Sequence, residues 1–349
     1  MKKRVLLFSV VLAVAIGLVV VSSTTASAQA QVIKWRMQSV NDPGLMEYKL
    51  LPVAFADRVR ELSNGRLDIK VFPPGGIVPS FEVFDAMRKG VLEISDHYLV
   101  YWSGKDPALK TPNEWPYLRD AAQSSMWYYH FGGAELYRKI LAKHGLYHLG
   151  YSAMEGEQFW SKKPLRGVAD LKGLKMRAAG VAADMAAILG ASVVVVPGGE
   201  VYAALERGVI DACEFTFPTV NYGLGLHEVT KYIILPTYSG GGCEDWFVNM
   251  KAWQALPDDL KRIVDVALKE TAWMYFLKVR LETPIVFEKL KKHGMTFITW
   301  SKEDMDKLEG ARIAAMEKYS AASPEFKEIF DSRMKLLKIL SEFSYERAH

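Results

Sequence analysis

The chain has 349 residues, half of them hydrophobic, and a formal net charge of +4. That length suits two domains of ordinary size or one large one, and the composition is that of a globular protein. Three of the positive charges, Lys2, Lys3 and Arg4, stand in the first four residues, so the rest is nearly neutral, which excludes the basic face a nucleic-acid partner would need.

The first residues read as an export signal. Met1-Lys-Lys-Arg4 is basic, Val5 to Val21 is apolar apart from Ser9 and Gly17, and Ala26-Ser27-Ala28 offers a small-residue cleavage site. That order predicts a secretory leader over residues 1–28 and a mature chain in the periplasm. The apolar run is short for a spanning helix, and no later segment is longer. Cys213 and Cys243 are the only cysteines. In an exported chain they could pair or persist as buried thiols, and the sequence leaves both open.

Val32 to Met37 has strand character, with the polar Gln38 at its end. Tyr48 to Ser63 is an amphipathic helix stopped by Asn64-Gly65. Leu67 to Phe72 alternates as a strand, Ser80 opens a short helix, and Leu92 to Leu99 is a further strand followed by Tyr98, Tyr101 and Trp102. Strands alternating with helices predict a parallel α/β sheet. Residues 113–145 read as helical and aromatic, and Leu146 to Tyr151 as a strand. Ser152 to Ser161 is polar and glycine-bearing, the expected form of a crossing between two lobes.

The stretch Val168 to Pro218 predicts a β-α-β-α-β unit. Leu174-Lys-Met-Arg177 alternates, which puts Arg177 at a strand's end. Ser192 to Val196 is apolar enough for a central strand covered on both faces. Gly208 is the expected left-handed C-cap of the next helix, and Val209 to Phe215 is a third strand with Glu214 near its end. Ligands of open α/β sheets sit outside the carboxyl ends of strands, and a guanidinium there suits a carboxylate. A surface strand with a solvated arginine fits the residues equally well. Beyond Pro218, Thr219 to Leu235 reads mostly as helix and Glu244 to Asn249 as a strand. Pro257 to about Leu290 reads as one long helix that Pro284 should kink or split, and Ser301 to Asp304 as a capping box.

No catalytic set is present: there is no Gly-x-Ser-x-Gly, no Walker A loop, no His-Glu-x-x-His and no Cys-x-x-Cys. Glu214 with Asp245 or Glu244 could hold a hard cation through oxygens. Alternation lets only one acid of the pair Glu244 and Asp245 face a given site, and Asp245 is favoured.

Leu171-Lys-Gly-Leu-Lys-Met-Arg177, Pro197-Gly-Gly-Glu-Val-Tyr-Ala-Ala-Leu-Glu-Arg-Gly208, Ile210-Asp-Ala-Cys-Glu-Phe215 and Asn249 with Trp253 to Pro257 resemble the substrate-binding proteins of tripartite ATP-independent periplasmic (TRAP) transporters. The likeness covers essentially the whole chain beyond the leader. It implies an α/β fold of two lobes joined by crossing strands, with a long helix lying across both. Lobe I would hold residues 29–154 with about 246–282, and lobe II residues 155–245 with about 283–349. The resemblance implies a non-enzymatic receptor that captures a small organic acid and hands it to TRAP membrane subunits, with Arg177 as the carboxylate clamp. In the branch that binds 2-oxo and 2-hydroxy acids, a calcium or sodium ion bridges the ligand. That branch implies metal ligands at Glu214, the Phe215 carbonyl, Asp245 and Gln158, with Glu155 or Glu157 as alternatives to Gln158. Tyr98, Tyr101 and Gln38 complete the expected ligand wall. No second arginine stands on the crossing segment, which favours a monocarboxylate. A secreted enzyme and a receptor presenting its ligand to a sensor are the competing readings, and a homodimer is an open candidate.

Overall fold

Strands too short to bury an apolar face alone must gather into sheets, and this chain gathers them into two. The computed structural model describes residues 32–110 and 121–342. The leader and part of the aromatic segment 113–145 lie outside the described residues.

The first sheet has the order β2-β1-β3-β10-β4. Its strands are β1 (Ile33–Ser39), β2 (Leu67–Phe72), β3 (Ile94–His97), β4 (Leu146–Ala153) and β10 (Cys243–Asn249). β1 and β3 run parallel, and β10 runs antiparallel to both β3 and β4. The second sheet has the order β11-β9-β5-β8-β6-β7. It comprises β5 (Gln158–Ser161), β6 (Lys175–Arg177), β7 (Ser192–Val194), β8 (Ala212–Phe215), β9 (Tyr232–Leu235) and β11 (Thr296–Thr299). Here β5 is the strand that runs against its neighbours β8 and β9.

Two short segments join the sheets, 154–157 and 236–242, and they are tied to each other. Met154 N–H donates to the Gly242 carbonyl at 3.1 Å, Glu157 N–H to Ser239 at 3.1 Å, and Tyr238 N–H to Glu157 at 3.0 Å. Gly241 sits in this ladder with φ +137°, and a Cβ there would lie 2.3 Å from the Met154 carbonyl oxygen, so only glycine fits.

Each sheet has its own core. Phe84, Trp102, Trp127, Tyr128, Tyr137 and Phe247 lead the first; Phe159, Leu171, Met176, Met185 and Trp300 lead the second. The C-terminal helix Pro324–Glu342 sends Ile329 and Leu336 into the first core, while its Phe326 packs with Val181, Ala315 and Met316. The boundary expected at 245/246 falls inside β10, all of which lies in the first sheet.

The helix Asp258–His293 is 36 residues, about 54 Å at 1.5 Å per residue. It packs against β4 and the helix Ala54–Leu62 near one end and against the helix Pro218–Gly223 nearer the other. It is one element: Pro284 does not split it, and Thr283 Oγ1 donates to the Val279 carbonyl at 3.0 Å in the turn where proline has no N–H to give. Pro52 acts differently, in a π-helical turn at Lys49–Val53 that interrupts the expected Tyr48–Ser63 helix.

One further expectation fails. The valine run forms the edge strand β7, not a central one, with Val195 beyond it 49% exposed. Its apolarity fitted two-sided cover, yet only β6 pairs with it among the described residues. The helices Pro218–Gly223 and Leu226–Val229 cover most of residues 219–235, as expected, and β9 takes the last four. Other local signals hold: Asn64 and Gly65 are left-handed, Gly208 has φ +72°, and Ser301 accepts from Asp304 N–H.

Candidate functional site

Met176 fills the second core, and alternation then turns the next residue, Arg177, to the sheet's rim. Register sets Arg177 beside Cys213, Gln158 opposite Phe215, and Phe159 opposite Glu214. The carboxyl ends of β6 and β8 and the start of β5 therefore share one edge, facing the first lobe.

Arg177 is 2% exposed. Its Nη1 donates to the Glu214 carbonyl at 2.7 Å and to Glu214 Oε2 at 3.1 Å, and Nε donates to the Val196 carbonyl at 3.3 Å. The guanidinium carbon lies 4.9 Å from the centre of the Phe215 ring. Its Nη2 crosses to the other lobe and donates to the Tyr101 hydroxyl, a long bond of 3.3 Å. The fork is thus anchored on one side, and among the described residues its other side is held by a single weak contact across the cleft.

Glu214 collects a second set of donors. Oε2 also accepts from Ala179 N–H at 3.1 Å, and Oε1 accepts from the Tyr238 hydroxyl at 2.6 Å. Tyr238 stacks on Phe159 at 4.8 Å and also hydrogen-bonds Glu157 Oε2. One hydroxyl has one proton, so it cannot serve both carboxylates as a donor at once. Burial, and then the charge of Glu214, push the Glu157 carboxyl up to about 8. Two buried acids face one guanidinium here. Next to them, the Gln158 amide donates to the Gly156 carbonyl at 3.0 Å and leaves its Oε1 buried with no partner. Carboxylate, carbonyl and amide oxygens in this density are the donor set of a hard cation.

The other expected residues are placed as follows. Tyr98 and Tyr101 lie with ring centres 5.7 Å apart at the first-lobe side. Trp102 is instead core, stacked on Phe84 at 5.1 Å with its indole bonded to the Phe81 carbonyl. Gln38 is spent: its Oε1 accepts from Ile77 and Val78 N–H at 2.8 and 2.9 Å, and its Nε2 donates to the Val78 carbonyl. A buried amide with its groups used to pin residues 77–78 has little left for a ligand. Asp245 is likewise committed, to His148 Nε2 at 3.1 Å and Leu99 N–H at 3.2 Å. The face of β10 that carries Asp245 carries Phe247 into the first core, so the acid that emerges on the other face is Glu244.

Glu244 meets Asn41 at 3.0 Å, beside Asp96, which accepts from Ser39 Oγ at 2.8 Å. Burial above all raises both acids, Glu244 to about 7. Glu47 joins the lobes by accepting from Thr219 Oγ1 at 3.4 Å. A cavity of about 460 Å³ opens beside Tyr101, between Phe81 and Lys105 of one lobe and Gly180 and Val195 of the other. Cys213 and Cys243 stand in different sheets as buried thiols, not joined by a disulfide.

The sequence missed Tyr238, Asp96, Asn41 and Glu47. Tyr238 had no local signal, because its place depends on stacking across the crossing segments. Glu157 was one of three candidates; it stands just before β5, two residues from Phe159, which pairs with Glu214.

Two variants probe this frame. Burial pushes the Glu47 carboxyl up to about 6 from 4.5. A carboxyl raised on folding costs stability as pH climbs through 4.5 to 6, and the full cost, about 2 kcal/mol, applies above that window. Glu47→Gln should therefore be about 2 kcal/mol more stable than wild type in urea melts at pH 8 and equal to it near pH 4. An unchanged difference across that range would count against the assignment. Gly198 lies against Phe215, where an added Cβ would sit 2.7 Å from Cζ. Gly198→Ala must push the ring that lies under Arg177, so thermal unfolding should show a loss of about 1–3 kcal/mol. A melting temperature equal to wild type would show that the ring yields freely.

A two-lobed α/β body with a buried guanidinium and paired acids at the lobe junction defines a solute receptor. The profile described as bacterial extracellular solute-binding protein, family 7 matches residues 38–322, and the chain belongs to that family of TRAP solute-binding proteins, which are receptors and not enzymes. A monocarboxylate 2-oxoacid-binding periplasmic protein of Nostoc is 31% identical over 95% of this chain and 92% of its own. A solved TRAP solute-binding protein of Bordetella bronchiseptica superposes with TM-score 0.85 at 27% identity, over 91% of this chain and 96% of that one. It is a mixed-occupancy dimer that holds copurified calcium and picolinate in one site. One of Colwellia psychrerythraea, with calcium and pyruvate bound, gives 0.84 at 27% identity over 91% and 98%. Among the described residues no helix is long and apolar enough to cross a membrane.

Proposed function

We propose that the protein is a periplasmic receptor that closes on a small monocarboxylic acid, a 2-oxo acid of pyruvate size, and delivers it to TRAP membrane subunits. One observation carries this: Arg177 is buried at the lobe junction with half its fork fixed by Glu214 and half held, among the described residues, by the long bond to Tyr101 alone. A ligand carboxylate replaces that bond with a paired, charge-assisted one, and so rewards closure. The crossing segment 152–161 carries no second arginine, which supports one carboxylate over two. Tyr98 and Tyr101 supply the wall for the apolar part.

A hard cation completes the reading, held by the Glu157 and Glu214 carboxylates and the Phe215 carbonyl, with the Gln158 amide oxygen beside them. The Phe215 carbonyl already accepts from Asn221 at 3.1 Å, which leaves its second lone pair. The commitment of Asp245 to His148 supports Glu244 as the acid that β10 turns toward the cleft, apart from the cation. The pairing of lobes is read as residues 32–154 with β10 against residues 158–235 with β11. A second copy of the chain is the further partner proposed.

Differential scanning fluorimetry of the chain lacking residues 1–28, with pyruvate and longer 2-oxo acids in calcium, sodium or cation-stripped buffer, tests the reading. A ligand-dependent rise in melting temperature supports it, because binding to the native state alone raises stability. If no monocarboxylate shifts the transition under any cation, the reading fails.

A further inference from the structure

The polar contacts that face the lobes to each other at the site are weak ones. Arg177 reaches Tyr101 at 3.3 Å and Thr219 reaches Glu47 at 3.4 Å, both long for hydrogen bonds. A third junction is of another kind. Ala108 and Leu109 of the turn Pro107–Lys110 are buried in the first core, and Asp106 Oδ1 accepts from Ala108 N–H at 2.9 Å, so the turn is a fixed part of the first lobe. The next residue, Lys110, crosses to the second lobe. Its ammonium pairs with Asp184 of the helix Gly180–Ile188 and donates to the Tyr319 hydroxyl. Tyr319 is seated against Val181, Ala315 and Met316. Its hydroxyl lies 2.9 and 3.0 Å from the two Asp184 oxygens and donates to that carboxylate, while its ring centre lies 4.0 Å from the ammonium. The Lys110 and Asp184 side chains are 14% and 24% exposed, so salt screens this pair less than it would a surface pair. Lys110 also lines the cavity beside Tyr101, the residue bonded to Arg177.

We propose that Lys110, Asp184 and Tyr319 form a clasp between the lobes that sets how long a captured acid is held. The proposal rests on the reading of the protein as a receptor that closes on a monocarboxylate, and it adds positioning residues that touch neither the acid nor the cation. When the lobes part, the ammonium leaves Asp184 and water solvates both. The charged contact is therefore made only on closing, and a contact present in one state alone shifts the balance toward that state. An acid enters while the lobes are apart and the clasp is unmade, but it leaves only after the clasp is broken. The clasp thus acts on release and not on capture, the step in which related binding sites differ most. The same three residues joined permanently would be a strut, and would add to the stability of the fold with or without acid.

Stopped-flow fluorescence of the chain lacking residues 1–28, with pyruvate in calcium as the probe, gives both rates. Lys110→Met should release the acid about tenfold faster than wild type and take it up at a rate within about twofold. Asp184→Asn should also speed release. The double variant should release no faster than the faster of the two single variants, because each removes the same contact. Urea melts without acid separate the clasp from a strut: there Lys110→Met should match wild type, and the loss in the double variant should be the sum of the two single losses. Release at the wild-type rate in Lys110→Met, with binding intact, overturns the clasp and leaves the receptor reading standing. So does an effect carried by uptake instead of release, or a coupling between the two residues in the melts without acid. A wild type that binds neither pyruvate nor a longer 2-oxo acid under any cation overturns the receptor reading, and the clasp with it.

Discussion

Arg177→Ala removes ligand-dependent stabilisation. Among the described residues the guanidinium is the one cation hydrogen-bonded to Glu214, and in the proposed complex it also holds the ligand's carboxylate. Truncating one partner of a buried, hydrogen-bonded charge pair costs about 2–5 kcal/mol of binding, which is roughly 30-fold to several-thousand-fold in Kd. The variant should also be less stable without ligand, by about 3–5 kcal/mol, because Glu214 is left buried beside Glu157 with no positive neighbour at 3.1 Å. Arg177→Lys separates the two effects. It keeps a charge near Glu214 but loses the planar fork, so it should fold better than the alanine variant and still bind weakly. Calorimetric titration with pyruvate reads the affinity, and urea melts read the stability. Full affinity in Arg177→Lys and Arg177→Ala together would mean that the acid is held elsewhere.

How far the sequence foretold this arrangement depended on the range of the interaction. Arg177 and Glu214 were legible because local alternation and a strand-ending turn place them at one edge, and each needs only its own strand to be recognised. Gln38 has the same local signature, a polar residue at a strand's end, yet residues 77–78 lie some 40 positions downstream and consume its amide. Nothing nearby reports that. Alternation says that Glu244 and Asp245 point oppositely, but which one meets the cleft depends on the face that Phe247 buries, a matter of sheet packing. The strand β5 has four residues in a polar, glycine-bearing stretch, so its period could not be seen. With β5 missed, the choice among Glu155, Glu157 and Gln158 stayed open. The valine run of β7 misled in the other direction, since side-chain apolarity reports burial in general and not position in a sheet.

The last expectation concerns which cation the site prefers, and it follows from charge. Around Arg177, which supplies one positive charge, Glu157, Glu214 and a bound monocarboxylate supply three negative ones; Glu244, bonded to Asn41 beside Asp96, stands outside this sum. A divalent ion brings that sum to zero, and a monovalent ion leaves a buried excess, which a low-dielectric site penalises. Wild type should therefore bind pyruvate more tightly in calcium than in sodium. Glu157→Gln keeps an oxygen that can accept from Tyr238 and removes one charge, so the sum is zero with sodium and positive with calcium. The variant should lose at least about tenfold in its calcium-supported affinity, a change of about 1.4 kcal/mol, and keep or improve its affinity in sodium. Its melting temperature in cation-stripped buffer at neutral pH should rise, because the buried Glu157 carboxyl, pushed up to about 8, must take up a proton on folding and an amide need not. Calorimetric titrations in stripped buffers restored with one ion or the other make the comparison. If calcium supports both proteins equally, Glu157 is not in the cation's reach, and the oxygen of the adjacent Gln158 becomes the donor to change next.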